Sequence, residues 1–233
     1  MRNLLVLLTA IVILIPAQVL AGGPPRSKLE SIRNKNVVVI VAEMTDEKGN
    51  PNPAACNGVI SRGTIFTAAH CCIDESNPFQ PSAIAYSWDG TEFYPISKIE
   101  PDTQGTDICR LYPAKKLSGG LAITKVGTGN KPTFYFKKNA WIVTKVNLFR
   151  PGKEFEELSV QPAYRIGAWE EDSALAAYYA RAVEGMSGGP ILDNSGNLIG
   201  IVSAIPENDD KKPVYGVTLV NMFFDSMWWT GKK

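Results

Sequence analysis

The sequence predicts an all-β protein, and three observations carry that prediction. Short apolar segments rich in β-branched residues recur along the chain, from residues 37–42 to residues 214–219. Clusters of Gly, Pro, Asn and Asp separate them, as at 48–53, 89–90 and 193–197. A convincing helical stretch is found only in the tail, residues 220–229. Short strands punctuated by turns at roughly 8–12-residue intervals indicate a sandwich or a barrel.

Taken in order, residues 1–21 stand apart. Arg2 precedes a hydrophobic stretch from Leu4 to Ile15, then Pro16, then Val19 and Ala21 three and one residues before a cleavage point. Those are the three regions of a secretory signal peptide, and the stretch is short for a membrane span. The expected product is exported, secreted or periplasmic, without stable membrane insertion. Residues 22–36 read as a polar arm. Residues 37–42 form the first strand, 56–60 and 64–68 a hairpin leading into His70, and 84–88 and 92–99 a second pair. A turn at 104–107 feeds a strand from Ile108. Ser118-Gly119-Gly120 marks the boundary between two halves, 37–118 and 119–219. In the second half the expected strands are 121–126, 133–136, 141–149, 158–166, 175–182, 191–192, 198–204 and 214–219. The apolar tail should dock on the body as a helix within residues 220–233.

Charge excludes some partners. Without Arg2 the basic and acidic residues balance at 23 each, so nothing attracts nucleic acid or an anionic membrane. Neither a metal nor an organic cofactor is called for, and nothing in the sequence sets the oligomeric state. The 4 cysteines are Cys56, Cys71, Cys72 and Cys109. An even count in an exported chain suggests two disulfides. Adjacent Cys71 and Cys72 are poor partners for each other, which leaves two connectivities, with Cys56–Cys71 plus Cys72–Cys109 favoured. A Cys/His metal site through His70 is the rival, but the paired spacing of zinc ligands is missing.

Chemistry points to three segments. Glu184-Gly185-Met186-Ser187-Gly188-Gly189-Pro190 is a glycine-rich turn presenting one serine, and its glycines let backbone approach the hydroxyl. A serine hydroxyl needs a base to become a nucleophile. The chain has 1 histidine, His70, in Thr67-Ala68-Ala69-His70-Cys71. Asp107, in Asp107-Ile108-Cys109-Arg110-Leu111, can orient an imidazole, with Asp102 as the second candidate. In that order the segments resemble the His, Asp and Ser motifs of the trypsin/chymotrypsin-like serine proteases.

The resemblance implies a fold of two six-stranded antiparallel β-barrels with a C-terminal helix. It also implies a Ser187–His70–Asp107 triad acting through an acyl-enzyme on a protein or peptide substrate. In it the Gly185 and Ser187 N–H groups form the oxyanion hole. Cys56 resembles the cysteine that bridges to the one after the catalytic histidine, here Cys71. Gly200-Ile201-Val202-Ser203 is similar to the strand that lines the cleft, with Ser203 pairing to substrate.

Two positions depart from the digestive members of that family. Met186 stands where an Asp would pair with a new N-terminus, so activation by that ion pair is not expected. Arg181 stands where an Asp would bind a basic P1 side chain, and Ile205 can narrow the entrance. The resulting expectation is a small or aliphatic P1 residue rather than Lys or Arg, with an acidic P1 residue bound by Arg181 as the second choice. The alternative of a catalytically silent binding module is disfavoured because no triad residue is missing.

Overall fold

A computed structural model describes residues 23–42, 48, 50, 54–72, 85–101, 107–123, 139–168, 175–203 and 214–217. The signal stretch, the expected strand at 133–136, Asp102, Ile205 and the tail helix lie outside them. Among the described residues the strands form two closed antiparallel barrels, six in each.

Strands β1 (Val37–Ala42), β2 (Ala54–Ser61), β3 (Thr64–Thr67), β4 (Ala85–Trp88), β5 (Phe93–Pro101) and β6 (Cys109–Pro113) form the first barrel, in the spatial order β1-β2-β3-β6-β5-β4. Strands β7 (Asn139–Val143), β8 (Val160–Ala168), β9 (Leu175–Tyr179), β10 (Pro190–Leu192), β11 (Leu198–Val202) and β12 (Val214–Val217) close the second, as β10-β11-β12-β9-β8-β7. Closure removes every sheet edge, which is how such small sheets avoid unpaired backbone. The β2–β3 turn bends through Arg62 (φ 51°) and Gly63 (φ 78°).

Each barrel has its own core. Ile40, Ile65 and Leu111 fill the first, and Ile142, Tyr178, Met186 and Ile191 the second. A third cluster is shared by both barrels and joins Val59, Phe66 and Ile108 to Val143, Leu192 and Ile201.

Leu29 and Ile32 complete that shared cluster, and this corrects the reading of 22–36 as an arm. Residues Arg26–Asn36 form helix α1. Only two of its side chains are buried, three residues apart on one face, too sparse a stripe to register as helical periodicity. Three shorter elements also differ from expectation. Helix α2 (Lys153–Leu158), with Glu154 and Glu156 in its first turn, precedes β8. Three-residue 3₁₀ turns occupy Ala69–Cys71 and Val146–Leu148. The strand expected at 141–149 thus stops at Val143. In the segment expected as strand 121–126, the described residues contribute an isolated bridge, Ile123 to Leu198.

Candidate active site

The β-ladder register brings the histidine and the aspartate together. Thr67, the last residue of β3, faces Cys109, the first of β6. His70 lies three residues beyond the first and Asp107 two before the second, so both emerge at the same barrel end. His70 then rides on the 3₁₀ turn, whose Cys71 is bonded to Cys56 of β2. The disulfide fixes the turn to its own hairpin.

Both carboxylate oxygens of Asp107 hold His70. The His70 backbone N–H donates to Oδ1 at 2.9 Å, and Nδ1 lies 2.8 Å from Oδ2. An ionised carboxylate can only accept, so Nδ1 carries the proton and Nε2 presents a lone pair. The Ser203 hydroxyl donates to the same Oδ2 at 2.5 Å. Burial by itself would raise the Asp107 carboxyl, but the hydrogen bond and charge of His70, with Ser203, outweigh it and hold the group below its ordinary value.

The serine turn is seated on the first barrel, although the second supplies it. Asn57, fully buried on β2, is the clasp. Its backbone N–H donates to Ser187 O at 2.7 Å, and its Nδ2 donates to Gly185 O at 2.7 Å. Its Oδ1 accepts from Lys145 N at 2.6 Å, and its carbonyl accepts from Thr67 Oγ1 at 2.6 Å. Gly188 (φ +78°) lies against that pair: a Cβ there would come within 2.0 Å of Asn57 O and 2.2 Å of Thr67 Oγ1. No other residue fits. On the far side Gly188 N donates to Val202 O at 2.7 Å, one residue before Ser203.

Within the turn, the N–H groups divide. Those of Met186, Gly188 and Gly189 donate to Val183 O, Val202 O and Met186 O. Those of Gly185 and Ser187 donate to no backbone carbonyl among the described residues. Two uncommitted donors flanking Met186 are what a developing oxyanion requires. Met186 itself is fully buried in the second core, and its sulfur accepts from Val183 N at 3.4 Å.

The structure therefore joins His70, Asp107 and Ser203 directly and ties Ser187 to them through Asn57 and Val202. No hydrogen bond links the Ser187 hydroxyl to His70 among the described residues; such bonds are often long without substrate and tighten when it binds. Arg181 is elsewhere. Gln161 brackets its backbone, accepting from its N–H at 3.1 Å and donating to its carbonyl at 2.7 Å. Its guanidinium is half-exposed and 4.0 Å from Glu154. The sequence argument that it meets substrate in a desolvated pocket loses that premise.

Of the two expected disulfides, Cys56–Cys71 is present and Cys72–Cys109 is not. Cys72 and Cys109 are buried thiols that hydrogen-bond each other; burial foremost, then Cys109 and the charge of Asp107, push Cys72 well up. The metal reading fails on the same chemistry. Ligand atoms of Cys56, His70 and Cys71 do converge within 4.8 Å, but both sulfurs are committed to the disulfide. Sequence reasoning missed Asn57 and had Thr67 only as the start of the histidine motif, without its bond to Asn57. Their signal was two polar residues within strands otherwise built for burial.

Comparison with known proteins agrees with this geometry. The family model described as Trypsin matches residues 40–227, and the chain belongs to that family of serine-type endopeptidases. No curated protein sequence matches it. Similar solved structures include the HtrA-type protease AlgW with a tripeptide, at TM-score 0.62 and 15% identity, covering 90% of this chain and 65% of that one. The active form of the Rv3671c protease from M. tuberculosis gives TM-score 0.56 and 15% identity, over 89% and 85%. Protease Anisep from Arthrobacter nicotinovorans gives 0.56 and 13%, over 79% and 90%. At such identities the likeness is one of fold.

Proposed function

We propose that the chain is an exported serine endopeptidase that cleaves peptide bonds with Ser187, His70 and Asp107. One observation carries this reading: His70 and Asp107 from the end of the first barrel are hydrogen-bonded to Ser203 of the second, which also supplies a serine turn with two uncommitted N–H donors. In the first step Ser187 Oγ attacks the scissile carbonyl while His70 Nε2 takes its proton. Asp107 stabilises the imidazolium through Nδ1, and the Gly185 and Ser187 N–H groups hold the oxyanion. Collapse expels the amine, which receives the proton from His70 and leaves an acyl-enzyme. Water, deprotonated by His70, then releases the acid. Each oxyanion donor is worth about 2.7–4 kcal/mol to the transition state.

Support for a small or aliphatic P1 residue comes from the chain ahead of the serine. Ala180 and Ala182 are buried and apolar, and the residue between them is Arg181 rather than an acid. Support for export comes from the leader-like residues 1–21 and from the Cys56–Cys71 disulfide, a bond of oxidising compartments. A fluorophosphonate probe should label the wild-type protein at Ser187 and leave Ser187→Ala unlabelled. Unchanged peptide hydrolysis in that variant would refute the reading.

A further inference from the structure

The serine turn carries no charged anchor at its centre, since Met186 is buried among apolar neighbours. Something else must hold it. We infer that Arg33 of helix α1 is a positioning residue that sets the 185–189 turn through the loop 144–150.

Arg33 is largely buried, its side chain 14% exposed, and every face of its guanidinium is used. Nε donates to Thr144 O at 3.1 Å, Nη2 to Asn147 Oδ1 at 2.6 Å, and Nη1 to Glu30 Oε2 at 3.1 Å. Two of those acceptors lie in the loop that leaves β7. The planar fork fixes both positions and angles, as a lysine could not. Thr144 and Asn147 have a further shared partner, because Ser159 O accepts from Thr144 N and Ser159 Oγ bonds Asn147 Oδ1.

The other side of the same loop is the support for the turn. Thr144 Cγ2 is 2.7 Å from where a Cβ on Gly189 would sit. Lys145 N donates to Asn57 Oδ1, and the Asn57 amide donates in turn to Gly185 O. The Phe149 ring comes within 2.4 Å of a Cβ position on Gly185, which only glycine can tolerate there at φ +91°. Arg150 pairs with Glu184, the residue before the turn. Three contacts from the loop thus meet Glu184, Gly185 and Gly189, and a fourth, from Lys145, reaches Gly185 through Asn57. Arg33 fixes the loop from behind, and α1 itself is fixed by Leu29 and Ile32 in the core shared by both barrels. Freed of Arg33, the loop loses its hold on Thr144 O and Asn147, and the donors at Gly185 and Ser187 drift from their productive places.

The inference rests on the role proposed for the 185–187 turn, so its test has an arm that does not need activity. Arg33→Ala, Arg33→Lys and, as a control on the same helix, Lys28→Ala are compared with wild type; Lys28 reaches only Ser195 O. Three quantities are measured: the rate of fluorophosphonate labelling, the rate at which diethyl pyrocarbonate modifies His70, and hydrogen exchange by mass spectrometry. Arg33→Ala should label on the order of 10²-fold more slowly, the penalty of a small misplacement at a reacting centre. Its exchange should rise in 144–150 and 183–189 and stay unchanged in β3 and β6. His70 modification should proceed at the wild-type rate, which a general loosening of the fold would not allow. Arg33→Lys should recover part of the labelling rate, and Lys28→Ala should match wild type. Should Arg33→Ala not fold, Asn147→Ala removes the loop end of the same contact and is expected to behave alike. Wild-type labelling and exchange in these Arg33 and Asn147 variants would overturn the inference. A wild-type protein that never labels would overturn the protease reading instead, and the exchange data would still decide the role of Arg33.

Discussion

Asp107 does more than one job at the residue scale, because its two oxygens separately hold the backbone and the ring of His70. Replacing it by Asn keeps the shape but offers an amide that can donate to Nδ1, which selects the wrong tautomer. Asp107→Asn should therefore lower kcat by about 10⁴-fold, read in steady-state assays with a chromogenic peptide. Ser203→Ala removes one hydrogen bond to that carboxylate and should cost far less. Gly188→Ala is the harsher change: the added methyl meets Asn57 O and Thr67 Oγ1, both backbone-fixed or hydrogen-bonded. We expect loss of labelling together with a lowered Tm by differential scanning calorimetry. His70, Asp107 and Ser187 stand out in the sequence as candidates because their residue types and order are chemically rare. Asn57 stayed hidden because its importance lies in who its neighbours are, and Gly185, which its side chain holds, is 128 residues away.

At the scale of elements, the Cys56–Cys71 bond ties the histidine turn to β2 across a sequence separation of 15. A loop of that length gives about 3 kcal/mol through restriction of the unfolded chain. The double variant Cys56→Ala/Cys71→Ala should lose about that much stability in urea titration, with unchanged slope. Cys72 and Cys109 should alkylate only after denaturation, by mass spectrometry, since both are buried. The strands were legible because β-branched runs and turn residues alternate so regularly: β1 matches its expected range, and β2–β6 fall close to theirs. Helices were not. The apolar stripe of α1 is two residues wide, and α2 has only six residues, below what a 3.6-residue period can reveal. The loop 144–150 misled for a different reason. Its Val146 and Phe149 pack into the second core and against Gly185 rather than onto a strand neighbour, so they imitate a continued strand.

For the whole molecule, Lys145 and Asp89 form a second link between the barrels. Lys145 Nζ donates to Asp89 O at 2.5 Å. Burial above all, partly opposed by Asp89 and reinforced by Arg33, brings Lys145 down from 10.5 to about 8. Between those values the unfolded chain binds a proton that the folded chain does not, so this group makes stability rise with pH from about 8 to 10.5. Below 8 its penalty is complete, and above 10.5 it is gone. Wild type should gain stability relative to Lys145→Met across that window in urea titrations; parallel curves would refute the link. Asp89 works in the opposite range. Burial would raise it, but donors on Thr91, Glu92 and Tyr94 prevail and hold it at about 2. Its contribution is complete above 3.8 and fades as pH falls towards 2. The clasp at Asn57 has a consequence in time as well as space. A chain emerging amino end first presents β2 and the histidine turn early, but the Asn57 amide and backbone N–H still lack the serine turn they hold. The turn it grips arrives only with the last strands and must then fold back across both barrels.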